Sequence, residues 1–287
     1  MPALKRYALI MTLSQRNNCI KGGILVSFIC LCTILLLIQR LLPLYPSLTA
    51  AAVQRPPGLI PALGARFFSP VPQAPLAAMT AMVLCALIVP VLIYFFFEKT
   101  QSAEITFFTL FVLSFVFETL RLLVPLRALY DFPMFLPVLG TRILLSGRFF
   151  GALSFFASSV YAAGLNLQKQ GNIIFGIVII TLIIFLGLPV DGMAWDTSLT
   201  MISGYSFEFR MAEAGILFLA VISFLAGVYI RGTREYLYIA LGALLVSLGR
   251  SFLIGADSWA LSLSGLIILA AGTWFITTRL HQVYMWL

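Results

Sequence analysis

The apolar positions of this chain form long unbroken runs rather than the narrow stripes of a soluble helix or the alternation of a half-buried strand. A helix needs about 20 apolar residues to cross a hydrocarbon core roughly 30 Å thick. That ruler predicts eight spans, over 22–42, 76–97, 103–124, 137–165, 172–190, 211–230, 235–255 and 258–278. The fifth carries no charge, whereas the fourth contains Arg142 and Arg148. The predicted fold class is all-α, a polytopic membrane helical bundle. Residues 1–21 form a cytoplasmic N-terminal segment, and residues 22–287 form a single transmembrane domain. The first apolar run exceeds the roughly 7–15 residues of a signal-peptide core, so it reads as a retained span.

Between the runs lie two longer polar segments. Segment 43–75 holds Pro43, Pro46, Pro56, Pro57, Pro61, Pro70, Pro72 and Pro75, which cannot continue a helix. Its stretch 59–68 reads equally as a packed loop or as a piece lying flat among lipid headgroups. Segment 191–210 carries Asp191, Trp195, Asp196, Tyr205, Phe207, Glu208 and Arg210. It reads as an interfacial aromatic belt, with a lid over a site as the alternative. Pro90, deep in the second span, removes one backbone hydrogen bond and predicts a kink.

Composition sharpens the class. The chain of 287 residues is 61% hydrophobic and 10% charged, with mean hydropathy +1.06. Soluble domains average roughly 45–50% and 25%. A soluble enzyme, a disordered chain and a nucleic-acid-binding domain are excluded, and no nucleic-acid partner is expected. The net charge of +8 has a membrane explanation. Lys5, Arg6, Arg16 and Lys21 precede the first span, and Lys99, Lys169, Arg231, Arg234 and Arg279 follow the even-numbered spans. All fall on one side of an eight-span chain, with Arg55, Arg66 and Arg127 on the other. The positive-inside rule then places both termini in the cytoplasm, and the expected location is the cytoplasmic (inner) membrane of a bacterium. The cytoplasmic connections are too short for an output domain.

No nucleotide-binding, zinc-protease, C-x-x-C or nucleophile-elbow pattern occurs. Cys19, Cys30, Cys32 and Cys85 have no metal-ligand spacing and His281 is the single histidine. No metal and no cofactor are expected. What rises above this background is a set of ionisable residues within the spans: Glu118 and Arg121 in the third, Arg142 and Arg148 in the fourth, Glu213 in the sixth, Arg250 in the seventh. At about 1.5 Å per residue, Arg121 lies roughly 6 Å, Arg250 roughly 8 Å, Glu118 roughly 10 Å and Arg148 roughly 15 Å inside the outer boundary. All six fall in the extracytoplasmic half. Isolated charges near a helix centre cost about 2.5–3.5 kcal/mol each, so a group sharing partners and water is favoured.

The expectation is a polar vestibule among spans three, four, six and seven. Two acids and four arginines leave two positive charges in surplus, and arginine is the bidentate partner of carboxylate and phosphate. The competing reading is an interhelical ion-pair network, with the shallower arginines reaching the headgroups. In the fourth span Gly147, Gly151, Ser154, Ser158 and Ala162 form a small-residue stripe that lets a neighbouring helix approach closely. Packing within one protomer is preferred to dimerisation.

Three functional classes remain open. The leading one is a receptor or accessory subunit that binds an anionic or amphiphilic ligand from outside. A secondary transporter of a small anion and a membrane enzyme acting on a lipid-linked substrate are the alternatives, with a non-enzyme preferred. The expected partners are the lipid bilayer, an anionic lipid or small anion, and a protein partner in the membrane.

Overall fold

The computed structural model describes residues 13–41, 71, 73–98, 100, 102–165 and 170–285. Residues 1–12, most of segment 43–75 with its stretch 59–68, and Lys5, Arg6, Arg55, Arg66, Lys99 and Lys169 lie outside the described residues.

The described residues form an all-α bundle in which eight helical runs are long and apolar enough to cross a membrane. These are α1 (Leu13–Leu41), α2 (Ala74–Phe97), a third run described below, α5 (Phe135–Ala162), α6 (Gln170–Gly187), α7 (Ser206–Arg231), α8 (Glu235–Ile254) and α9 (Trp259–Met285). The third run is compound: α3 (Ala103–Leu113), a 3-10 helix (Ser114–Leu122) and α4 (Leu123–Tyr130) follow one another without a break. A ladder of rings holds the interior together, with Phe111 stacked on Phe155 at 4.6 Å and Phe155 against Phe224 at 5.8 Å, which links α3, α5 and α7. Outward positions of the peripheral helices, such as Leu36, Phe175, Ile183, Phe218 and Tyr229, are exposed large apolar residues. In water that surface would be an aggregation liability.

Among the described residues the first helix already runs from Leu13, well before the expected 22. An apolar ruler rejects Arg16, Asn17 and Lys21, but Arg16 is not solvated. It is buried, and its guanidinium donates to the carbonyls of Phe97 (2.7 Å), Glu98 (3.2 Å) and Thr100. These carbonyls lie at and just beyond the C-terminus of α2, where a cation also meets the negative end of the helix dipole. The helix thus extends because its polar turn caps a neighbour. Pro90 is accommodated inside α2 in a related way. It leaves the Ala86 carbonyl without an i→i−4 donor, and the buried Ser27 hydroxyl of α1 lies 3.1 Å from that oxygen.

The tightest helix pair is α8 with α9. Gly242 and Gly249 on α8 face Gly272 and Gly265 on α9. A Cβ on Gly249 would stand 2.5 Å from the Leu269 backbone nitrogen, and one on Gly272 would stand 2.7 Å from that of Val246. Backbone therefore touches backbone, the arrangement small residues permit where no apolar solvent penalty drives helices together.

Segment 190–203, within the stretch read as an aromatic belt or a lid, is not helical. It folds into an antiparallel hairpin, β1 (Val190–Trp195) and β2 (Met201–Ser203), with Trp195 opposite Met201. At its tip Leu199 adopts a left-handed backbone (φ +59°). Its side chain is buried beside Ile34, Leu76, Met79, Val83 and Leu122. Burial of the tip leucine offsets a backbone conformation that costs a branched residue roughly 1–2 kcal/mol. The hairpin is pinned over one end of the bundle.

Candidate functional site

The ionisable residues of the third run owe their arrangement to the 3-10 winding. Three residues per turn eclipse positions i and i+3, so Phe115, Glu118 and Arg121 line up on one buried edge. Runs of this winding longer than about 3–4 residues are uncommon. Room for it comes from α5: Gly147 lies against the Phe117 ring, and a Cβ on Gly151 would fall 3.0 Å from Ser114 Cβ and closer still to its hydroxyl. The small-residue stripe thus packs against the wound segment of the same chain. Ser158 donates to the Glu104 carbonyl (2.8 Å), and Ser154 is fully buried.

About 100° round α5 from Gly147, Arg148 turns to the same place. Its Nε and Nη2 donate to Glu118 Oε1 and Oε2 at 2.8 and 3.0 Å, a bidentate fork. Arg121 Nη2 reaches Glu118 Oε2 at 2.6 Å and the Ile254 carbonyl at 3.1 Å, the latter at the C-terminus of α8. Arg250 pairs with Glu213 and donates to the Arg148 carbonyl at 3.2 Å. Its guanidinium also stands over the Phe111 ring. Glu118, Arg121 and Arg250 are each at most 2% exposed, while Arg148 keeps 11%.

Five of the six sequence candidates therefore meet in one network joining the third run, α5, α7 and α8. Arg142 does not join it. It is half-buried on another face of α5 and makes no ion pair among the described residues. Two acids meet three arginines, so the surplus within the network is one positive charge rather than two.

Above Arg148 lies a cavity of about 620 Å³. Its floor holds Arg148 and Glu213. Its walls bring Phe149, Phe209 and Leu217, and its roof is the hairpin with Asp196, Ser198 and Thr200. Arg210 stands at its margin. Arg148 lends Nε and Nη2 to Glu118, and its Nη1 has no acceptor among the described residues. The volume and the mix of apolar wall with a few fixed polar groups match what small-molecule sites offer. Asp196 and Arg210 lie in the segment whose alternative reading is a lid over a site, whereas Ser198 and Thr200 are not legible in the sequence, because only the pairing of β1 with β2 brings them over α5. The segment's mixture of Asp196, Arg210 and aromatics was the available signal.

A second polar cluster occupies the opposite end of the bundle, where the sequence suggested only residues at span edges. Glu104 is buried there. Arg231 pairs with it at 3.3 Å, and the Tyr236 hydroxyl lies 3.4 Å from both its oxygens. Arg231 also donates to the carbonyls of Tyr161 and Ala162 at the C-terminus of α5. Spacing along the chain conceals this cluster, since Glu104 and Arg231 are 127 positions apart.

Among known proteins, a relative from Treponema pallidum (strain Nichols), described as an uncharacterized protein, is 28% identical over 185 residues, covering 58% of this chain and 53% of the relative. The chain thus spans about half the length of that relative. No family model matches the chain. No solved structure matches it.

Proposed function

We propose that this chain is an integral protein of a bacterial cytoplasmic membrane, with both termini in the cytoplasm and the hairpin end outside. The cavity over Arg148 receives an anionic or amphiphilic ligand from that outer side, and the protein serves as a receptor or accessory subunit. One observation carries the reading: a guanidinium oriented by a buried carboxylate, with Nη1 unengaged, faces a covered cavity that has apolar walls. Arg148 in this setting offers donors to a carboxylate or phosphate, and Phe149, Phe209 and Leu217 take the chain of an amphiphile. The basic residues Arg231, Arg234 and Arg279 at the opposite end favour the orientation. The bacterial source of the relative fits the location.

A transporter of a small anion is the second reading, favoured by the 3-10 segment at the charged site. A mid-helix stretch of this winding often marks a hinge, the kind of element alternating access uses. The lipid-enzyme reading gains no such support. Glu118 is engaged by two guanidiniums and acts as a counter-ion rather than as a base.

The test is thermal unfolding of the purified protein with dodecanoate, with dodecyltrimethylammonium of equal chain length, and with inorganic phosphate. Saturable stabilisation by dodecanoate and none by the cationic amphiphile is expected. Ala214→Trp, which fills the cavity from its own lining, removes that response and leaves the ligand-free melting temperature in place. A parent protein that none of the anions stabilises overturns the reading.

A further inference from the structure

The end of the bundle remote from the hairpin carries a cavity of about 600 Å³ lined by Arg231, Arg279, Glu235, Thr233 and Gln282. Beside it, sharing Gln282, an apolar groove of about 430 Å³ runs between α2 and α9. We propose that the pair is a phospholipid site: the cavity takes the phosphodiester of an anionic headgroup, and the groove takes an acyl chain. This site is separate from the one over Arg148 and does not depend on it.

Two features of the cavity suit a phosphodiester. First, its guanidiniums keep spare donors. Arg279 spends Nη1 on Glu235 (3.1 Å) and Gln282 (3.0 Å), so its Nε and Nη2 have no acceptor among the described residues. Arg231 spends Nε and Nη2, so Nη1 is likewise without one. Second, both are held in place, Arg279 over the Tyr238 ring at 4.5 Å and Arg231 over the Tyr236 ring at 5.8 Å. A guanidinium fixed on an aromatic face loses less freedom when it takes a phosphate oxygen. The two arginines are matched by two carboxylates, Arg279 by Glu235 and Arg231 by Glu104, so the phosphodiester is held by the spare donors rather than by a surplus of charge. Glu104 sits behind the wall and does not line the cavity.

The groove identifies the source of that phosphate as a lipid. Its walls are mostly apolar, from Ala81 and Leu266 at the deep end; Thr277, Thr278, His281 and Gln282 gather toward the cavity end, and Thr273 further in spends its hydroxyl on its own helix. From Leu266 to Gln282 the α9 wall extends about 24 Å at 1.5 Å per residue. One leaflet's half of a roughly 30 Å core is about 15 Å, so an acyl chain fits along it. Free phosphate would use the cavity and leave the groove idle.

Native mass spectrometry of the delipidated full chain tests this, with phosphatidylglycerol, phosphatidylcholine and inorganic phosphate as the probes. Phosphatidylglycerol is expected to bind in preference to phosphatidylcholine. Arg279→Gln should weaken it about tenfold, one charge-assisted hydrogen bond's share. Ala270→Trp, which fills the groove far from any charge, should weaken it comparably, while Ala214→Trp in the other cavity should have no effect. Equal binding of the two lipids with both variants at parental affinity overturns the proposal. So does inorganic phosphate that displaces the lipid at equal concentration, because the groove would then contribute nothing.

Discussion

Replacing Glu118 by glutamine changes one oxygen for an NH2 group and removes the charge that holds Arg121 and Arg148. The carboxylate takes contacts of 2.6, 2.8 and 3.0 Å from these two side chains. Glutamine keeps one acceptor oxygen and turns a donor toward donors; with that oxygen in the Oε2 place, which takes two of the contacts, the third is lost. At about 1.5–3 kcal/mol per hydrogen bond to a charged group, this loss is roughly 1.5–3 kcal/mol. Removing one partner of a buried pair costs about 3–5 kcal/mol for the separate reason that the other charge is left uncompensated. The two ranges meet at about 3 kcal/mol, which corresponds to roughly a 140-fold fall in the folded-to-unfolded ratio. Equilibrium unfolding in detergent micelles, followed by the helical circular dichroism signal, reads this directly. Glu235→Gln is the internal control: its pair with Arg279 is 36% and 31% exposed, and such pairs contribute about 0–1 kcal/mol. Adding Arg148→Leu to Glu118→Gln should cost less than the sum of the single changes by at least about 1 kcal/mol. A Glu118→Gln variant within about 0.5 kcal/mol of the parent, or strictly additive changes, would refute the account of the network.

Other parts of the structure yield equally direct expectations. Gly249→Ala pushes a methyl into the Leu269 backbone and should destabilise by about 1–3 kcal/mol. Gly176→Ala on α6, where nothing stands within 4 Å, should stabilise by up to about 1 kcal/mol in the same unfolding measurement. Leu199→Ala withdraws the hairpin's anchor, so amide hydrogens of 196–203 should exchange faster while those of α8 and α9 stay protected. In a variant without native cysteines, Tyr205→Cys should react with a membrane-impermeant maleimide in intact cells and Thr233→Cys only after permeabilisation. The opposite pattern would invert the orientation.

How far the sequence discloses this molecule depends on which physical effect sets each feature. Eight helices follow from run length alone, because every buried backbone group in lipid must be paired within its own segment. Their contacts are less legible. The glycines at 242, 249, 265 and 272 repeat at seven-residue spacing, a signal for a close helix pair that a search for shorter small-residue repeats passes over. Arg16 illustrates the opposite case. Its hydropathy ends an apolar run, yet its hydrogen bonds to the end of α2 extend the helix. No one-dimensional scale holds that information, since the acceptors are more than 80 positions away.

The charged cluster divides along the same line. Depth along a helix is linear in residue number, so the gathering of Glu118, Arg121, Arg148, Arg250 and Glu213 in one half was legible. Azimuth is not linear once the winding changes. An ideal α-helix turns about 100° per residue, whereas the 3-10 segment turns about 120°. Over the nine residues from Ser114 to Leu122 the difference accumulates to roughly half a turn. Glu118 and Arg121, three apart, share a face in either winding, but the rotation changes where that face points relative to the rest of the run. The rotation in turn is set by α5, where Gly147 and Gly151 leave space for Phe117 and Ser114. Arg142, on an ordinary α-helical stretch, has no such correction and points elsewhere. The glycines of α5 thus do more than let two helices approach. They permit the winding that aims a carboxylate at Arg148, so a bulky residue at Gly151 should disturb the ion pairs and the packing together.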